Sequence, residues 1–399
     1  MRRFILAVLG SAFPLLVSTM PLQKQIITVG GSATLPFSPA VKAGGLIFVA
    51  GALGTDAQGK VAGADIKSQT KQVLDNLSAV LKAAGSSLDM VASVNVYIKH
   101  AADFPGMNEV YRTYWTKDMP VRTTIEADLV VPDALVEIAM VAIPTGGERQ
   151  VVHPSDWMVS PNPYSYGIKS GNTLFLAGLL ARSGKDNSPI PGDITIQTKA
   201  ALDNAGAILK AGGMSYADVV SSRVYMTDTS VFQDMNAAYR TYFPNNPPAR
   251  ATVRANLMGT GYQIEITLVA VQSADRQTFV TPNADGSPGT PNPNLSSAVR
   301  VGNRLYVSGM LGNTDTNKGD AKAQTTETLA RIGRTVKAAG FDWSHVVDGI
   351  VYMPDLTHFP KMNEAYREVF AKDFPARATV RSGLVNPDGL VEIMFTAVK

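Results

Sequence analysis

One pattern occurs three times in the chain, as MPVRTTIEADLVVPDALVEIAMVAI (119–143), PPARATVRANLMGTGYQIEITLVAV (247–271) and FPARATVRSGLVNPDGLVEIMFTAV (374–398). The arginines Arg122, Arg250 and Arg377 align at intervals of 128 and 127 residues. Solenoid repeats have periods of roughly 20–50 residues, so each copy of this pattern has the size of a whole domain. The sequence therefore predicts three tandem copies of one domain.

The repetition extends upstream of the arginine and downstream to a glutamate. Each arginine follows an asparagine by 14 residues and a glutamine by 53, and a glutamate follows each arginine by 15. The repeated residues are Asn108, Asn236 and Asn363, Gln69, Gln197 and Gln324, and Glu137, Glu265 and Glu392. From the glycine of the long strand to the glutamate, length varies only in the loop before the first helix, as expected where the backbone is exposed.

Each copy is predicted to form two strands, a helix, a strand, a helix and two strands. The run GLIFVAGAL is typical of a buried strand that ends in a glycine turn. The segment from Gln69 to Gly85 spaces Val73, Leu77, Val80 and Leu81 as an amphipathic helix does. This order predicts an α+β domain in which both helices pack on one face of a mixed sheet.

The connections between copies are short. The predicted domains span residues 20–145, 146–273 and 274–399, and their true linkers are 144–148 and 272–275. Four or five residues reach at most ~18 Å, so the three domains are expected to pack together rather than move independently.

Residues 1–19 read MRRFILAVLGSAFPLLVST, which has two arginines, an apolar run and small residues at the end. That pattern is typical of a secretory signal, and the apolar run is short for a membrane span. The sequence therefore predicts an exported protein, periplasmic or secreted, without stable membrane association after removal of the signal.

Composition excludes several classes of chemistry. The 399 residues include 36 Lys+Arg, 33 Asp+Glu and no cysteine. Thiol nucleophiles and Cys-based metal sites are therefore absent, and the four histidines do not lie at metal-ligand spacing. No metal site is predicted. A nearly neutral chain also lacks the basic surface that nucleic-acid binding requires.

An arginine and a glutamate recur at a fixed offset and are expected on neighbouring strands. This pattern indicates a binding or catalytic site. The planar guanidinium fits a carboxylate, and a placed glutamate can accept a proton from water. The alternative is a buried ion pair that only joins two strands. The repeated asparagines could instead be helix caps. Tyr111, Tyr239 and Tyr366 have helical spacing and apolar neighbours, which favours a place in the core.

These motifs resemble the RidA/YjgF family of enamine/imine deaminases, formerly called L-PSP endoribonucleases. The Pro-x-Arg motif, the Asn-x-x-Tyr helix, the Gln helix and the final Glu-Ile strand each occur three times. The resemblance implies three tandem chorismate-mutase-like domains. Because family members are homotrimers with clefts between subunits, it also implies an intramolecular pseudo-trimer, a monomer with internal pseudo-threefold symmetry.

For activity, the resemblance implies hydrolysis of small carboxylate-bearing enamines or imines, of the 2-aminoacrylate type, to 2-oxo acids and ammonia without a cofactor. The arginines would hold the substrate carboxylate and the glutamates would activate water. The cleft lining would comprise Asn108, Asn236, Asn363, Phe37, Tyr164, Thr124, Thr252, Thr379, Gly51, Gly178, Gly309 and Ser308. Which repeats pair to form each cleft, and which imine is the natural substrate, stay open.

The copies depart from the family pattern at several positions. Tyr164 keeps a family tyrosine that Phe37 and Leu295 replace, and Ser308 keeps a serine that is alanine in the other copies. Threonine follows each arginine by two residues where many members have cysteine. Two alternatives to the deaminase are a non-catalytic module that binds small carboxylates or proteins, and a ribonuclease, which the near-neutral charge disfavours.

Overall fold

The computed structural model describes residues 24–29 and 36–399. The predicted secretory signal, 1–19, lies outside these residues. The first repeat has the predicted order of elements with one additional strand, Ala40–Ala43, before the first helix. It comprises β1 (Gln25–Ile27), β2 (Ala40–Ala43), β3 (Leu46–Leu53), α1 (Ile66–Ala83), β4 (Val91–Ile98), α2 (Phe104–Tyr114), β5 (Val121–Glu126) and β6 (Val136–Ala142).

The other two repeats follow the same order and add one short strand each. The second comprises β7 (Gln150–Val152), β8 (Gly167–Ser170), β9 (Thr173–Leu176), α3 (Ile194–Ala211), β10 (Val219–Met226), α4 (Phe232–Arg240), β11 (Ala249–Arg254), β12 (Asn256–Leu257) and β13 (Ile264–Val271). The third comprises β14 (Gln277–Phe279), β15 (Ala298–Val301), β16 (Arg304–Leu311), α5 (Ala321–Ala338), β17 (Val346–Met353), α6 (Phe359–Val369), β18 (Ala376–Arg381), β19 (Gly383–Leu384) and β20 (Glu392–Val398). The prediction of three α+β domains with mixed sheets is confirmed.

The order of strands corrects one expectation. In the first sheet the order is β1-β2-β3-β6-β4-β5, so β4 separates the strand of Arg122 from the strand of Glu137. Strands β4 and β5 are parallel and are joined across helix α2. A parallel pair needs such a crossover, and this crossover places β5 beyond β4. The arginine and glutamate of one repeat are therefore not on neighbouring strands.

Both faces of each sheet are buried, which explains the nearly continuous apolar runs of the central strands. In β3, Ile47 and Val49 pack with the side chains of α1 and α2 in the core of the first repeat. The alternate residues Leu46 and Phe48 belong to a second cluster that includes Phe175 of repeat 2 and other residues of repeats 2 and 3. One face of each sheet therefore carries its helices, and the other face packs against the neighbouring repeats.

Short segments of the repeats pair with the sheets of neighbouring repeats, and these pairings form a closed circuit. Strand β12 of repeat 2 pairs with β5 of repeat 1, and β19 of repeat 3 pairs with β11 of repeat 2. An isolated bridge from Leu129 of repeat 1 to Val380 of repeat 3 completes the circuit. Each repeat thus extends the sheet of one neighbour and receives an extension from the other, which is the geometry of a closed ring.

The repeats are not interchangeable where they meet. One cavity between the three sheets is lined by Asn95 and Tyr97 of repeat 1, Arg223 of repeat 2, and Asp348 of repeat 3. Burial raises the pKa of Asp348 to about 6, while the Arg223 charge lowers it. Since Ser93 and Ser221 occupy the positions equivalent to Asp348, the internal symmetry is broken at the centre by one acidic and one basic side chain.

The repeated glutamines lie inside the first helix of each repeat rather than at its start. The cap of α1 is Asp65, whose carboxylate accepts from the Ser68 N–H. Gln69 Nε2 donates to the Asp133 carbonyl at 3.1 Å, and the Leu135 N–H donates to Gln69 Oε1 at 2.7 Å. The glutamine therefore holds the loop before the glutamate strand, and repeats 2 and 3 have the same bonds.

In the described part of the chain no helix is long and apolar enough to cross a membrane.

Candidate functional site

Each candidate site combines the arginine of one repeat with the glutamate of another. Arg122 and Glu265 line one cavity between repeats 1 and 2. The electrostatic partners give the same arrangement for Arg250 with Glu392 and for Arg377 with Glu137. The arginine and glutamate that meet therefore come from different repeats and do not lie on neighbouring strands of one repeat, as their spacing had suggested. We call these sites cleft 1–2, cleft 2–3 and cleft 3–1 after the repeats that form them.

Each arginine stands over aromatic rings of the second helix of its own repeat. The guanidinium carbon of Arg122 lies 4.9 Å from the ring centre of Tyr111 and 5.4 Å from that of Phe104. Arg250 and Arg377 repeat the arrangement over Tyr239 and Phe232, and over Tyr366 and Phe359. The tyrosines are core residues, as predicted, and they also form the floor under the guanidinium. The sequence pattern predicts neither this second role of the tyrosines nor a role for the phenylalanines.

One of the three repeated asparagines contacts the arginine of its repeat. Asn236 lies within α4, and its Oδ1 accepts from Arg250 Nη2 at 2.7 Å. Asn108 Oδ1 and Asn363 Oδ1 are buried without a partner among the described residues. None of the three is a helix cap, so the capping interpretation is wrong at these positions.

The arginines retain unused hydrogen-bonding capacity. They are 4%, 2% and 3% exposed in chain order. Arg122 Nη1, Arg250 Nε and Arg250 Nη1 are buried with no hydrogen-bond partner among the described residues. A buried cation without a counter-ion is costly, and a carboxylate ligand would supply two acceptors to its planar fork. This arrangement does not join two strands through an ion pair.

The glutamates lie against three equivalent glycines. Contrary to the prediction that a glycine ends each strand, Gly51 and Gly309 lie inside β3 and β16, where the register shifts, and Gly178 follows β9 by two residues. A Cβ on Gly51, Gly178 or Gly309 would stand 1.9, 1.8 or 2.0 Å from a carboxylate oxygen of the glutamate in the same repeat. Only glycine therefore leaves room for the carboxyl group. The glutamate also accepts from a threonine backbone N–H of the adjacent repeat: Thr124 for Glu265, Thr252 for Glu392 and Thr379 for Glu137.

Burial raises the pKa of each glutamate. The pKa values of Glu137, Glu265 and Glu392 rise to about 8, while the arginine charge and the threonine N–H lower them. Desolvation of the charged form outweighs these two effects. These carboxyl groups are therefore mainly protonated at neutral pH, and their pKa lies in the range of a general acid or base that works near pH 7.

The segment in which the three copies differ at the family tyrosine lies, in each repeat, over the arginine of the preceding repeat. The Ser165 N–H donates to the Pro120 carbonyl at 3.1 Å, which brings the adjacent Tyr164 into the cavity of Arg122. The Ser38 N–H donates in the same way to Pro375, and Phe37 lies 5.8 Å from the guanidinium carbon of Arg377. In cleft 2–3 the equivalent segment docks through Ser296 on Pro248.

Other predicted lining residues fall into two groups. The hydroxyl groups of Thr124, Thr252 and Thr379 are buried and have no partner in the described part of the chain. Ser308 Oγ accepts from the Arg250 N–H at 2.8 Å and donates to the Ser296 carbonyl at 2.6 Å. The threonines thus offer unused polar groups, whereas Ser308 fixes the backbone of cleft 2–3.

Cleft 1–2 is a cavity of about 70 Å³. Besides Arg122 and Glu265, its walls include aromatic side chains and a second arginine, Arg182. Within residues 24–29 and 36–399, no three side chains of metal-ligating type converge on a common point.

Comparison with known proteins agrees with these features. The family described as endoribonuclease L-PSP matches residues 31–144, 157–272 and 288–399. The chain belongs to this family. It carries three tandem copies of the RidA/YjgF domain, and the resemblance drawn from its motifs is confirmed.

Single-domain relatives match one repeat each. A RutC family protein of Pyrococcus horikoshii is 44% identical over 108 residues, covering 27% of this chain and 86% of the relative. The 2-iminobutanoate/2-iminopropanoate deaminase of Rattus norvegicus is 33% identical over 124 residues, covering 31% of this chain and 90% of the relative. Relatives with this domain thus include a protein named as an imine deaminase.

One solved structure resembles most of the chain. A chorismatase crystal structure is similar over 78% of this chain and 93% of its own, with a TM-score of 0.54 and 16% identity. This likeness concerns the fold alone. It extends across more than one of the three RidA-type domains.

The raised glutamate pKa values predict how stability depends on pH. In the folded protein these carboxyl groups have a pKa near 8. They therefore stay protonated at pH values where the same groups in the unfolded chain, with the ordinary pKa of 4.5, have lost their protons. The folded state therefore binds more protons in this window, and its free energy of unfolding falls as pH rises from about 4.5 to about 8. Denaturant unfolding at several pH values should show a steeper loss in the wild type than in a Glu137→Gln, Glu265→Gln, Glu392→Gln variant. Parallel curves would contradict the raised pKa values.

Proposed function

We propose that the protein hydrolyses small 2-imino acids and their enamine tautomers to 2-oxo acids and ammonia in the clefts between its repeats. The observation that carries this proposal is the pairing, in each cleft, of a buried guanidinium with a carboxyl group whose pKa lies near 8. Arg122 and Arg250 also have buried N–H groups without a partner among the described residues. The guanidinium can bind an anion, and the carboxyl group can exchange a proton with water near neutral pH.

The arginine selects the substrate. Its N–H groups would form two charge-assisted bonds to the α-carboxylate, and interactions of this kind contribute roughly 1.5–3 kcal/mol each when sheltered. The substrate's carbon–nitrogen double bond would then lie toward the glutamate, which enters the same cavity from the adjacent repeat. The small cavity of cleft 1–2 favours small substrates.

The glutamate transfers the protons of the reaction. In its ionised form it takes a proton from water while the water oxygen bonds to the imine carbon. The proton then passes to the nitrogen. The hydroxyl proton of the adduct follows it by way of the glutamate as the carbon–nitrogen bond breaks, the carbonyl group forms and ammonia leaves. The balance is one imino acid and one water consumed, with one 2-oxo acid and one ammonia formed. An enamine enters this sequence after protonation at its carbon converts it to the imine.

The rat relative named 2-iminobutanoate/2-iminopropanoate deaminase supports this choice of reaction for the family domain. The alternative is a module that binds small carboxylates, or proteins, without catalysis. It uses the same arginines but has no need of a carboxyl group with a raised pKa beside them. The presence of that carboxyl group in all three clefts favours catalysis.

The test is release of 2-oxo acid and ammonia from imines made in situ by an amino-acid oxidase. The protein should accelerate release above the spontaneous rate in proportion to its concentration. If a folded sample gives no acceleration with any of several amino acids, the deaminase proposal fails. Binding of pyruvate or 2-oxobutanoate in that sample would then identify the non-catalytic module.

A further inference from the structure

The three clefts differ in charge. Arg182, four residues after Gly178, lines the cavity of cleft 1–2 together with Arg122. At the equivalent positions after Gly51 and Gly309 the chain has Thr55 and Asn313. The second arginine is therefore specific to one of the three clefts.

Arg182 is held in place without being neutralised. Its Nε donates to the Tyr262 hydroxyl, its Nη1 donates to Asn187 Oδ1 at 3.2 Å, and its guanidinium carbon lies 5.1 Å from the Tyr262 ring centre. Both acceptors are neutral, so the positive charge persists. Among the residues that line this cavity, the acidic one is Glu265, whose carboxyl group is mainly protonated at neutral pH.

The loop that carries Arg182 is braced against the cleft wall. Trp157 packs so closely on Gly184 that a Cβ there would stand 2.1 Å from the indole, and the Met158 N–H donates to the Gly184 carbonyl at 3.0 Å. Trp157 in turn packs edge-on against Tyr166, at 4.8 Å between ring centres. A side chain on such a support is ordered before a ligand arrives, which reduces the entropy lost on binding.

Two cations in one small cavity need two negative charges. Arg122 is almost fully buried, and Arg182 is half-buried on the loop above. Both guanidinium groups line this cavity together with Tyr164, and both charges lower the pKa of the Tyr164 hydroxyl, which burial raises. A ligand with a single carboxylate neutralises one of them and leaves the other without a counter-ion.

We propose that cleft 1–2 is selective for imino acids with a second carboxylate, those derived from acidic amino acids, with Arg122 on the α-carboxylate and Arg182 on the side-chain carboxylate. This inference rests on the proposed deaminase function for the reaction. The reaction keeps the same balance, with water consumed and ammonia released, and the second carboxylate remains on the 2-oxo acid product.

The test compares Arg182→Gln, which removes the charge and keeps an amide donor, with Arg182→Lys, which keeps the charge. The substrates are the imines of aspartate and alanine, each made by an oxidase. Arg182→Gln should lower kcat/KM for the aspartate imine about 10- to 100-fold and change the alanine imine less than about 2-fold. Arg182→Lys should keep most of the preference. Lys185→Gln, an exposed charge on the same loop, is the matched control and should change neither value.

Calorimetric binding separates this inference from the proposed function. Oxaloacetate should bind more tightly than pyruvate, and Arg182→Gln should remove the difference. If no imine is hydrolysed but this binding pattern holds, the deaminase proposal fails and the dicarboxylate site stands. If both oxo acids bind alike, or if the Gln and Lys variants lose both substrates equally, the dicarboxylate site is refuted whatever the deaminase result.

Discussion

Replacing Arg122, Arg250 and Arg377 together with glutamine is expected to lower kcat/KM for imine hydrolysis by at least about 100-fold. The reason is the loss of the charge-assisted fork that holds the substrate carboxylate in every cleft. Glutamine keeps much of the side-chain length and can still donate to Asn236, which the structure places beside Arg250. The measurement is 2-oxo acid release by wild type and variant at matched concentrations.

Stability should not fall with activity in this triple variant. The substitution removes buried cations that lack full hydrogen bonding, at the loss of their contacts with the tyrosine rings. We expect a Tm equal to or above that of the wild type, because residues that form a binding site commonly lower the stability of the fold that carries them. An unfolded variant would show instead that the arginines join strands, and a folded variant with full activity would remove them from the mechanism.

Replacing Glu137, Glu265 and Glu392 together with glutamine should have the largest effect on rate, about 10²- to 10⁴-fold in kcat/KM. The wild-type kcat/KM should rise with pH up to about 8, because a base acts only in its ionised form and these pKa values lie near 8. The residual rate of the variant should not show this rise. The profile is measured as the ratio of catalysed to spontaneous hydrolysis, which removes the pH dependence of the substrate itself.

The shape of that profile decides the role of the glutamates. A plateau above pH 8 in the wild type supports a general base that activates water. A rate that falls above pH 8 would assign them as general acids, contrary to the proposed sequence of steps. A variant that keeps the wild-type profile would show that another group titrates.

Much of the fold could be predicted because the same residue pattern occurs in all three copies. Fixed offsets among glutamine, asparagine, arginine and glutamate defined the repeat, and the apolar periodicity placed helices such as α1 within a few residues. The repeated glutamine was misplaced at the helix start because its role is tertiary. It binds the loop ahead of the glutamate strand, and no local pattern reveals that contact.

Which arginine meets which glutamate could not be predicted for a similar reason. Spacing along the chain suggested that Arg122 and Glu137 are neighbours, but the parallel crossover inserts β4 between their strands. The glutamate that meets Arg122 is Glu265, more than a hundred residues away. Such pairing depends on how whole sheets pack, and three similar copies are compatible with either order. The aromatic floor was missed because helical spacing of tyrosines is the ordinary sign of a core.

The central claim is that each active site is shared between successive repeats. Two variants with a single intact arginine test it. Both carry Arg250→Gln, Arg377→Gln and Glu392→Gln. The first also carries Glu137→Gln, so it keeps Arg122 with Glu265 across cleft 1–2. The second carries Glu265→Gln instead, so it keeps Arg122 with Glu137 from the same repeat. The two proteins therefore have the same number and types of substitution.

The measurement is kcat/KM for imine hydrolysis by these two variants and the wild type. With the alanine imine, which has no second carboxylate, the first variant should keep roughly a third of the wild-type value because it retains one complete cleft of three. The second retains no complete cleft and should fall to the level of the triple arginine variant. A second variant as active as the first, or a first variant no better than the second, would contradict the account.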